Sequence, residues 1–228
     1  MTVGLRRRCL LLAGGVDSAR NYDRYGHELL WWGERLSGAG FSCRACLGDG
    51  KIGNHPVRSV RVSPARRPDV MAALDWLAAV GDGDLGLLVV SNHGNTGGIC
   101  LWGTDVLSPG ELSIALQPAK GALVLVMGQC YGGVFGPLAG PKTAVLSACR
   151  SNEVSYSCAT PPGLVYDEFL YQLGTALFGA PTDAPQPGPA RRPLSLQSAF
   201  HWAHAQDRRS ETPQLFDPSG MAGSIYVY

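Results

Sequence analysis

The sequence has no strong imbalance of charge and almost no lysine. Its 19 basic and 18 acidic side chains give a formal net charge of +1 at pH 7, and only three of the basic residues are lysines. The arginine pairs at positions 66–67, 191–192 and 208–209 stand far apart instead of forming one basic tract. A solvated surface explains such isolated pairs, so the charge pattern predicts no nucleic-acid partner.

Long apolar runs are also missing. No segment approaches the roughly 18 apolar residues of a membrane-spanning helix. The apolar part of residues 6–15 (RRRCLLLAGG) is too short for a signal peptide and lacks a clear small-residue cleavage site. The seven cysteines are odd in number, and several lie in strand-like runs, which disfavours a secreted disulfide framework. We therefore expect a protein of a reducing, cytoplasmic compartment with no membrane contact.

Motifs for metals and phosphate-bearing cofactors are incomplete. Cys43 and Cys46 form a lone CxxC with no second pair, although a structural zinc site normally takes four ligands. Gly14 and Gly15 follow an apolar run, but neither the GxGxxG spacing nor a Walker lysine accompanies them. The sequence therefore predicts no metal and no cofactor.

Apolar runs and helical spacing alternate along nearly the whole chain. This alternation is typical of an α/β protein with helices on both faces of a mostly parallel sheet, and 228 residues suit one domain of this class. We expect a three-layer sandwich with about six central strands over residues 1–228, with an edge strand near 57–62 and the last strand at 225–228. Five prolines mark residues 180–193 as a surface loop.

Two serines predict where helices begin. Ser108, Pro109 and Glu111 have the spacing of a capping box with a proline in the first turn, so a helix is expected to begin at Pro109. Ser195 precedes an apolar pattern of helical period and is expected to cap a second helix.

Two apolar strands end on side chains that can react together. Residues 85–94 (LGLLVVSNHG) lead to His93, and residues 122–130 (ALVLVMGQC) lead to Cys130. In an open α/β sheet, functional groups collect outside the carboxyl ends of parallel strands, so we expect His93 and Cys130 to meet there. A thiol becomes a nucleophile when it loses its proton, and a nearby imidazole accepts that proton or stabilises the thiolate.

Glycines next to both residues leave the backbone open to a substrate. Gly94 follows His93, and Gly132 with Gly133 lies just after Cys130, so the amides of Gly94 and Cys130 are predicted to form an oxyanion hole. A simpler interpretation exists for each residue alone, because free cysteines are often buried and a histidine at a strand end can serve only its loop. The pair with its flanking glycines favours catalysis.

Four stretches resemble the caspase-like cysteine peptidases, and among them the legumain branch. Residues 92–98 (NHGNTGG) are similar to the family's histidine motif, and residues 129–133 (QCYGG) to its nucleophile motif. Residues 147–157 (SACRSNEVSYS) resemble the legumain stretch with an Asn-Glu-x-Ser-Tyr signature, and residues 21–25 (NYDRY) match in kind. The resemblance covers nearly the whole chain, from the first strand to about residue 214.

The resemblance implies a peptide-bond hydrolase with a dyad of Cys130 and His93, a thioester intermediate, no third catalytic residue and no metal. It implies four substrate-binding residues, which are Arg24, Tyr131, Ser155 and Asp167. Two residues depart from the legumain pattern. Asn92 stands where legumains usually carry aspartate, and Tyr131 stands where they carry an acidic residue. A preference for asparagine is therefore not implied.

The specificity and even the reaction remain open at this point. An arginine in the pocket would favour an acidic or amide side chain through charge-assisted hydrogen bonds, but Arg24 can also be an exposed residue in the first turn of a helix. The expected partner is a peptide or protein substrate, and no oligomeric state is predicted. The same dyad could serve a transamidase, a ligase or a small-molecule amidase. A catalytically silent domain that binds a partner or peptide is the alternative from another class.

Overall fold

The helices and strands of the computed structural model follow the alternation of the sequence. The structure describes residues 5–51, 60–160, 163–190 and 192–227. The strands are β1 (Arg7–Gly14), β2 (Ser42–Leu47), β3 (Arg61–Ser63), β4 (Leu85–Asn92), β5 (Gly94–Asn95), β6 (Gly98–Cys100), β7 (Val106–Leu107), β8 (Ala122–Met127), β9 (Thr143–Ser147), β10 (Ser157–Thr160), β11 (Leu164–Asp167) and β12 (Gln214–Phe216). The α-helices are α1 (Asp23–Gly38), α2 (Arg67–Ala78), α3 (Pro109–Leu116), α4 (Glu168–Phe178) and α5 (Leu196–Gln206), and short 3₁₀ helices cover Gly132–Leu138 and Met221–Gly223.

Seven strands form the central sheet. Their order is β12-β9-β8-β4-β1-β2-β3, and all neighbours are parallel except β12, which pairs antiparallel with β9. A small sheet of β5, β6 and β7 follows the carboxyl end of β4, and β10 and β11 form a separate antiparallel pair. The expected α/β class with a mostly parallel sheet is confirmed.

Two apolar layers cover the two faces of the sheet. Side chains alternate between the faces of a strand, so Cys9 and Leu11 of β1 pack with α1, α4 and α5, whereas Leu10 and Leu12 pack with α2 and α3. The largest fully buried side chain is Trp32 of α1. This arrangement is compatible with the expected three layers.

The expected number and position of the strands are partly wrong. We expected six strands and missed β2, because Ser42, Cys43 and Arg44 interrupt its apolar pattern and only its second half is buried. The expected last strand at 225–228 is not one over its described part. Instead the Ile225 carbonyl accepts a hydrogen bond from the Leu196 amide, and β12 completes the sheet. Of the expected edge strand at 57–62, residues 57–59 lie outside the described residues, and β3 begins at Arg61.

Both predicted helix caps are confirmed. Ser108 Oγ accepts from the Glu111 amide while Glu111 accepts from the Ser108 amide, which is a complete capping box for α3. Ser195 Oγ accepts from the Ser198 amide at 3.2 Å and caps α5. Within the described ranges, none of the helices combines the length and the apolar character needed to cross a bilayer.

Candidate active site

The two candidate residues follow adjacent parallel strands. β4 pairs with β8 along its length, with Val90 opposite Met127, and the Gly128 amide extends the pairing by donating to the Val90 carbonyl at 2.9 Å. The carboxyl ends of both strands therefore lie side by side at the same end of the sheet, which we call the rim. His93 and Cys130 both lie on the rim.

Gly94 brings the two loops into backbone contact. A Cβ atom added to Gly94 would lie 2.2 Å from the carbonyl oxygen of Cys130 and 2.6 Å from Cγ of Gln129. Such distances are far below van der Waals contact, so only glycine allows this approach. The residue after His93 therefore touches the backbone of Cys130.

The His93 ring is held by a backbone carbonyl. Its Nε2 lies 3.0 Å from the carbonyl oxygen of Arg20, and because a carbonyl only accepts, Nε2 must carry the proton. In the neutral ring, Nδ1 is then the atom that can accept a proton. Burial lowers the pKa of His93 below its usual 6.5, the bond to Arg20 opposes this shift, and the nearby Arg24 adds to it. His93 is therefore neutral at pH 7.

Sequence reasoning missed the role of Arg20. Its contribution is a main-chain oxygen, which leaves no side-chain signal. The tight turn after β1 presents this oxygen, because a Cβ atom on Gly15 would lie 2.0 Å from it. Asn21 holds the turn by accepting from the Gly15 amide at 3.2 Å. Gly14 and Gly15, which suggested a phosphate loop and were set aside, therefore shape the support of His93.

Asn92 is buried behind His93 and not exposed toward a substrate. Its side chain is only 4% exposed, and its Oδ1 accepts from the His93 amide at 2.7 Å. The departure from the legumain pattern at this position therefore acts on the backbone of His93. Because Asn92 is buried, its side chain is not placed for direct contact with a substrate side chain.

The half-buried Cys130 thiol contacts Ser155. Its Sγ lies 3.8 Å from the Ser155 carbonyl oxygen and 3.6 Å from Ser155 Oγ. Among the described residues no hydrogen bond links Cys130 to His93. Catalytic hydrogen bonds are often long or misaligned in free enzymes and tighten when a substrate binds. Ser155, predicted at the substrate, therefore lies beside the candidate nucleophile.

Tyr131 has the only positive φ among the described non-glycine residues, with φ 57°. This left-handed conformation is uncommon for a bulky residue and often marks a functional turn. The turn is fixed by the Tyr131 amide, which donates to the Glu153 carbonyl at 2.8 Å. Gly132 and Gly133 pack against neighbouring residues, because added Cβ atoms would meet Ser147 Oγ at 2.6 Å and the Ser151 amide at 2.5 Å. They allow the neighbouring loop to pack.

The two amides expected to form an oxyanion hole are unengaged. The Cys130 amide donates to no group in the part of the chain that the structure describes. The Cys100 amide donates to the His93 carbonyl, so in the antiparallel pairing of β5 with β6 the next position, Gly94 opposite Ile99, is not hydrogen-bonded across the ladder. Both N–H groups remain available to a ligand.

Arg24 and Asp167 form a largely buried ion pair near the rim. Arg24 Nε donates to Asp167 Oδ1 at 2.8 Å, and the two side chains are 20% and 7% exposed. Ser91 Oγ, near the end of β4, donates to Asp167 Oδ2 at 2.6 Å. Burial raises the pKa of Asp167, and Arg24 and Ser91 act against that shift. With donors on both oxygens, Asp167 carries the negative charge of this group.

Two tyrosine rings connect Arg24 with His93. The guanidinium carbon of Arg24 lies 4.7 Å from the Tyr22 ring centroid and 4.6 Å from that of Tyr25. The His93 ring meets the same two rings edge-on, with centroids 5.3 and 5.7 Å away. Tyr22 and Tyr25 therefore form one wall between the candidate specificity residue and the candidate base. Arg24 is not the simple exposed helix residue of the alternative interpretation.

Glu28 supports Asp167 from one helical turn further along α1. Its Oε1 accepts from the Asp167 amide at 2.7 Å, and it is 1% exposed. Burial, followed by repulsion from Asp167, raises the pKa of Glu28 well above its usual value. Burial therefore favours the protonated form of Glu28 beside the ion pair of Arg24 and Asp167.

Two glutamates anchor the segment 153–156 that contacts Cys130. Glu153 accepts from the amide and the hydroxyl of Thr212 at 3.0 and 3.1 Å. Glu211 accepts from the Tyr156 amide at 2.5 Å. The loop after α5 therefore fixes the position of Ser155.

In the described ranges, no group of three or more His, Cys, Asp or Glu side chains is arranged to hold a metal ion. All seven cysteines are free thiols. Compared with known proteins, the chain matches no protein-family model and no curated protein.

Proposed function

We propose that the protein is a cysteine endopeptidase of the caspase-like type, most similar to the legumain branch. It hydrolyses peptide bonds with Cys130 as nucleophile and His93 as acid and base. The observation that carries this proposal is the backbone contact between Gly94 and Cys130, which sets both residues on one rim of the sheet. The mostly parallel sheet with its helices on both faces is compatible with that fold.

Acylation begins at the Cys130 thiol. His93 Nδ1 accepts the thiol proton, and Sγ attacks the carbonyl carbon of the scissile peptide bond. The amides of Gly94 and Cys130 donate to the oxygen that becomes negative in the tetrahedral intermediate. The intermediate then collapses, the C–N bond breaks, and the protonated His93 gives its proton to the leaving amine. A thioester on Cys130 remains.

Deacylation uses the same groups in reverse. His93 accepts a proton from a water molecule, whose oxygen attacks the thioester carbonyl. The C–S bond breaks, the carboxylic product leaves, and the proton on His93 returns to the Cys130 sulfur. Throughout both steps the Arg20 carbonyl keeps the ring oriented through Nε2 and favours its protonated state when it forms.

The ion pair of Arg24 and Asp167 supports a polar specificity pocket. Arg24 Nε and Nη2 are occupied by Asp167 and Tyr25, whereas its Nη1 makes no hydrogen bond with a described residue. One free guanidinium donor beside an ionised carboxylate can satisfy both the acceptor and the donor of an amide side chain. We propose that the residue before the scissile bond is polar, with an amide preferred over a basic side chain.

Labelling with a peptidyl electrophile tests the dyad directly. An acyloxymethyl ketone peptide with an amide side chain next to the electrophile should modify Cys130 in the intact chain, located by mass mapping. Cys130→Ser should abolish the modification, and His93→Gln should slow it by roughly 100-fold, the usual effect of losing a general base. Because the pKa of His93 is lowered, labelling should stay fast down to pH 6.5 and decline only below it.

Cys43 provides the matched control. Cys43 and Cys100 are the other half-exposed thiols. A hydrogen bond from Cys9 lowers the pKa of Cys43, whereas burial raises the pKa of Cys100, so Cys43 is the more reactive of the two. Burial raises the pKa of Cys149 to about 12, so that thiol stays unreactive. Cys43→Ser should leave peptidyl labelling unchanged. Labelling that moves to Cys43, or that is equal with and without His93, would contradict a dyad.

One observation favours a second candidate, the catalytically silent binding domain. The Cys130 thiol contacts Ser155, and no hydrogen bond joins it to His93. A silent domain would bind the peptide without labelling Cys130. If labelling occurs, a library of peptides varied before the scissile bond separates hydrolysis from transfer, because a transamidase or ligase yields aminolysis products when an amine is added. A small-molecule amidase would leave the whole library uncut.

A further inference from the structure

Three arginines share one face of the sheet, far from the rim. Arg8 lies in β1, Arg44 in β2 and Arg61 in β3, which are consecutive strands of the sheet. By strand alternation Arg8 and Arg44 lie on the α2 side, because Leu10 and Cys46 pack there. We call Arg8, Arg44, Arg61 and the neighbouring Trp76 of α2 the arginine patch.

Two of these arginines make cation–π contacts with the Trp76 ring. The guanidinium carbons of Arg44 and Arg8 lie 4.5 and 5.2 Å from the centroid of the Trp76 ring. Arg8 also donates through Nη1 to the Trp76 carbonyl, which satisfies an acceptor in the last turn of α2. Arg61 joins them through the sheet itself, since Arg44 and Arg61 are direct partners in the parallel register of β2 and β3.

No carboxylate forms an ion pair with the arginine patch, although Asp84 attracts Arg8. None of the ion pairs of the described residues includes Arg8, Arg44 or Arg61, and the residues outside the described ranges contain no aspartate or glutamate. Burial and then the repulsion of Arg61 and Arg8 lower the pKa of Arg44. Three positive charges therefore face one another.

Stacking on Trp76 offsets the repulsion within this grouping only in part. Like charges directly opposite each other on neighbouring strands destabilise a sheet, and a guanidinium cannot relieve the repulsion by losing its proton. Cation–π contact with Trp76 accounts for Arg8 and Arg44, but Arg61 opposite Arg44 gains nothing from it. An anion placed between the guanidiniums would convert the repulsion into attraction.

We infer that the arginine patch is a binding site for a phosphate group, either free phosphate or a phosphomonoester. Guanidinium groups match the geometry of phosphate oxygens in bidentate fashion. The three arginines span two strand spacings, about 10 Å, which suits one compact dianion. The longest basic run of the chain is the three residues Arg6–Arg8, which is too short to follow a nucleic-acid backbone.

The arginine patch is separate from the rim. Arg8 lies six residues before Gly14, where β1 ends near the Arg20 turn, and Arg44 lies level with Leu10, four residues before Gly14. Roughly 13–20 Å along the strands therefore separates the two sites. A phosphate bound at the patch would not touch Cys130 or His93. The inference therefore does not depend on the proposed peptidase activity, and it can be tested without any substrate.

Thermal unfolding of the whole chain provides the test. Tm is measured in sodium phosphate, in O-phosphoserine and in sodium chloride, all at equal ionic strength. A ligand at about tenfold its Kd should raise Tm by about 3–6 °C over chloride. A response to both ligands indicates a site for phosphomonoesters, and a response to phosphate alone indicates a site for the free ion. A rise with heparin but with neither of them would overturn the inference in favour of a general polyanion surface.

Arg44→Gln separates stability from phosphate binding. In chloride alone its Tm should stay close to that of the unaltered chain, because the relief of repulsion offsets the lost contact with Trp76, while its response to phosphate should be lost. Arg208→Gln, at an exposed arginine outside the patch, should keep the full response. If Arg44→Gln does not fold, Arg61→Gln replaces it, since Arg61 is exposed on a sheet edge. An equal phosphate response in variant and unaltered chain, or none in the unaltered chain, would overturn the site.

Discussion

The rim and the arginine patch both place arginine against aromatic rings, but only one of them balances the charge. At the rim, Arg24 lies between Tyr22 and Tyr25 and is paired with Asp167 at 2.8 Å. At the patch, Arg44 lies on the Trp76 ring and is repelled by Arg61 and Arg8. The charge of Arg24 at the rim is therefore balanced without a ligand, whereas the repulsion at the patch is relieved only when an anion binds.

The carboxylates of the molecule show why this difference matters. Glu28 and Asp167 lie close together near the rim, as do Glu211 and Asp207, and in each case burial raises the pKa of the glutamate. A carboxylate pair can remove its repulsion by binding one proton from water. Arginines have no such route, because the guanidinium stays charged at any physiological pH. A cluster of arginines therefore points to an external anion more strongly than a cluster of carboxylates points to an external cation.

The largest expected effect is a difference in stability between Arg24→Gln and Arg44→Gln. Arg24→Gln leaves Asp167 buried without its cation, and breaking a buried pair on one side costs about 3 kcal/mol of unfolding free energy, or about 6–12 °C in Tm. Arg44→Gln removes a repelling charge together with its contact on Trp76, so it should cost at most about 1 kcal/mol. Urea unfolding of both variants in chloride measures the difference. Equal losses for the two substitutions would show that the charges at the rim and at the patch are not differently balanced.

A double variant sharpens this comparison. Arg24→Gln combined with Asp167→Asn removes both members of the rim pair and leaves no unpaired charge. It should recover part of the stability lost by Arg24→Gln alone, because uncharged polar groups cost less to bury than an isolated ion. If the double variant is less stable than Arg24→Gln, Asp167 stabilises the fold by contacts other than its pair with Arg24.

The sequence predicted the strand ends and the helix starts because local chemistry decides them. β4 ends at Asn92, directly before His93, and β8 ends at Met127, three residues short of the expected end at Cys130. The serine caps depend on hydrogen bonds within three residues. Interactions of this short range can be inferred from the amino-acid sequence. The rule that functional groups collect at the carboxyl ends of parallel strands then predicts that His93 and Cys130 lie close together.

Features that depend on distant main-chain atoms were beyond such inference. The Arg20 carbonyl at His93 and the Gly94 contact with Cys130 require the relative positions of separate loops. β2 escaped notice because Arg44 belongs to the arginine patch, which interrupts the apolar alternation of the strand. The patch itself joins positions 8, 44, 61 and 76, and only the register of β1, β2 and β3 brings them together.

A further prediction concerns Glu211 and Asp207, two neighbouring carboxyl groups whose repulsion is removed when one of them binds a proton. Burial, followed by repulsion from Asp207, raises the pKa of Glu211 from 4.5 to about 10. The folded state therefore binds this proton more tightly than the unfolded state, and its stabilising contribution is full below pH 4.5 and is lost as pH rises toward 10. Glu211→Gln keeps the acceptor for the Tyr156 amide and needs no proton. The free energy of unfolding of Glu211→Gln should exceed that of the unaltered chain by about 1–2 kcal/mol near pH 8.

The groups around Glu211 define the control for this measurement. Asp207 and Asp167 are the charges that face it, and the Tyr156 amide donates to it. Urea unfolding near pH 4 should show little difference between Glu211→Gln and the unaltered chain, with a gap that widens with pH. Glu34→Gln, at an exposed position on α1, should show no such widening. A constant gap for Glu211→Gln would mean that Glu211 is already ionised in the fold.

The smallest expected effect comes from placing a carboxylate in the arginine patch, as Asp167 is placed beside Arg24 at the rim. In Arg61→Glu the new carboxylate lies directly opposite Arg44 in the sheet register, so a repelling pair becomes an attracting one. Because Arg61 is exposed, solvent screens the gain, and cross-strand pairs of this kind contribute only about 0.5 kcal/mol. Urea unfolding in chloride should therefore show a slight increase in stability that fades at high salt. In phosphate the same variant should show no rise in Tm, because its own carboxylate occupies the guanidiniums. A variant that is less stable than the unaltered chain in chloride, yet still responds to phosphate, would place the anion elsewhere and end the contrast between the two regions.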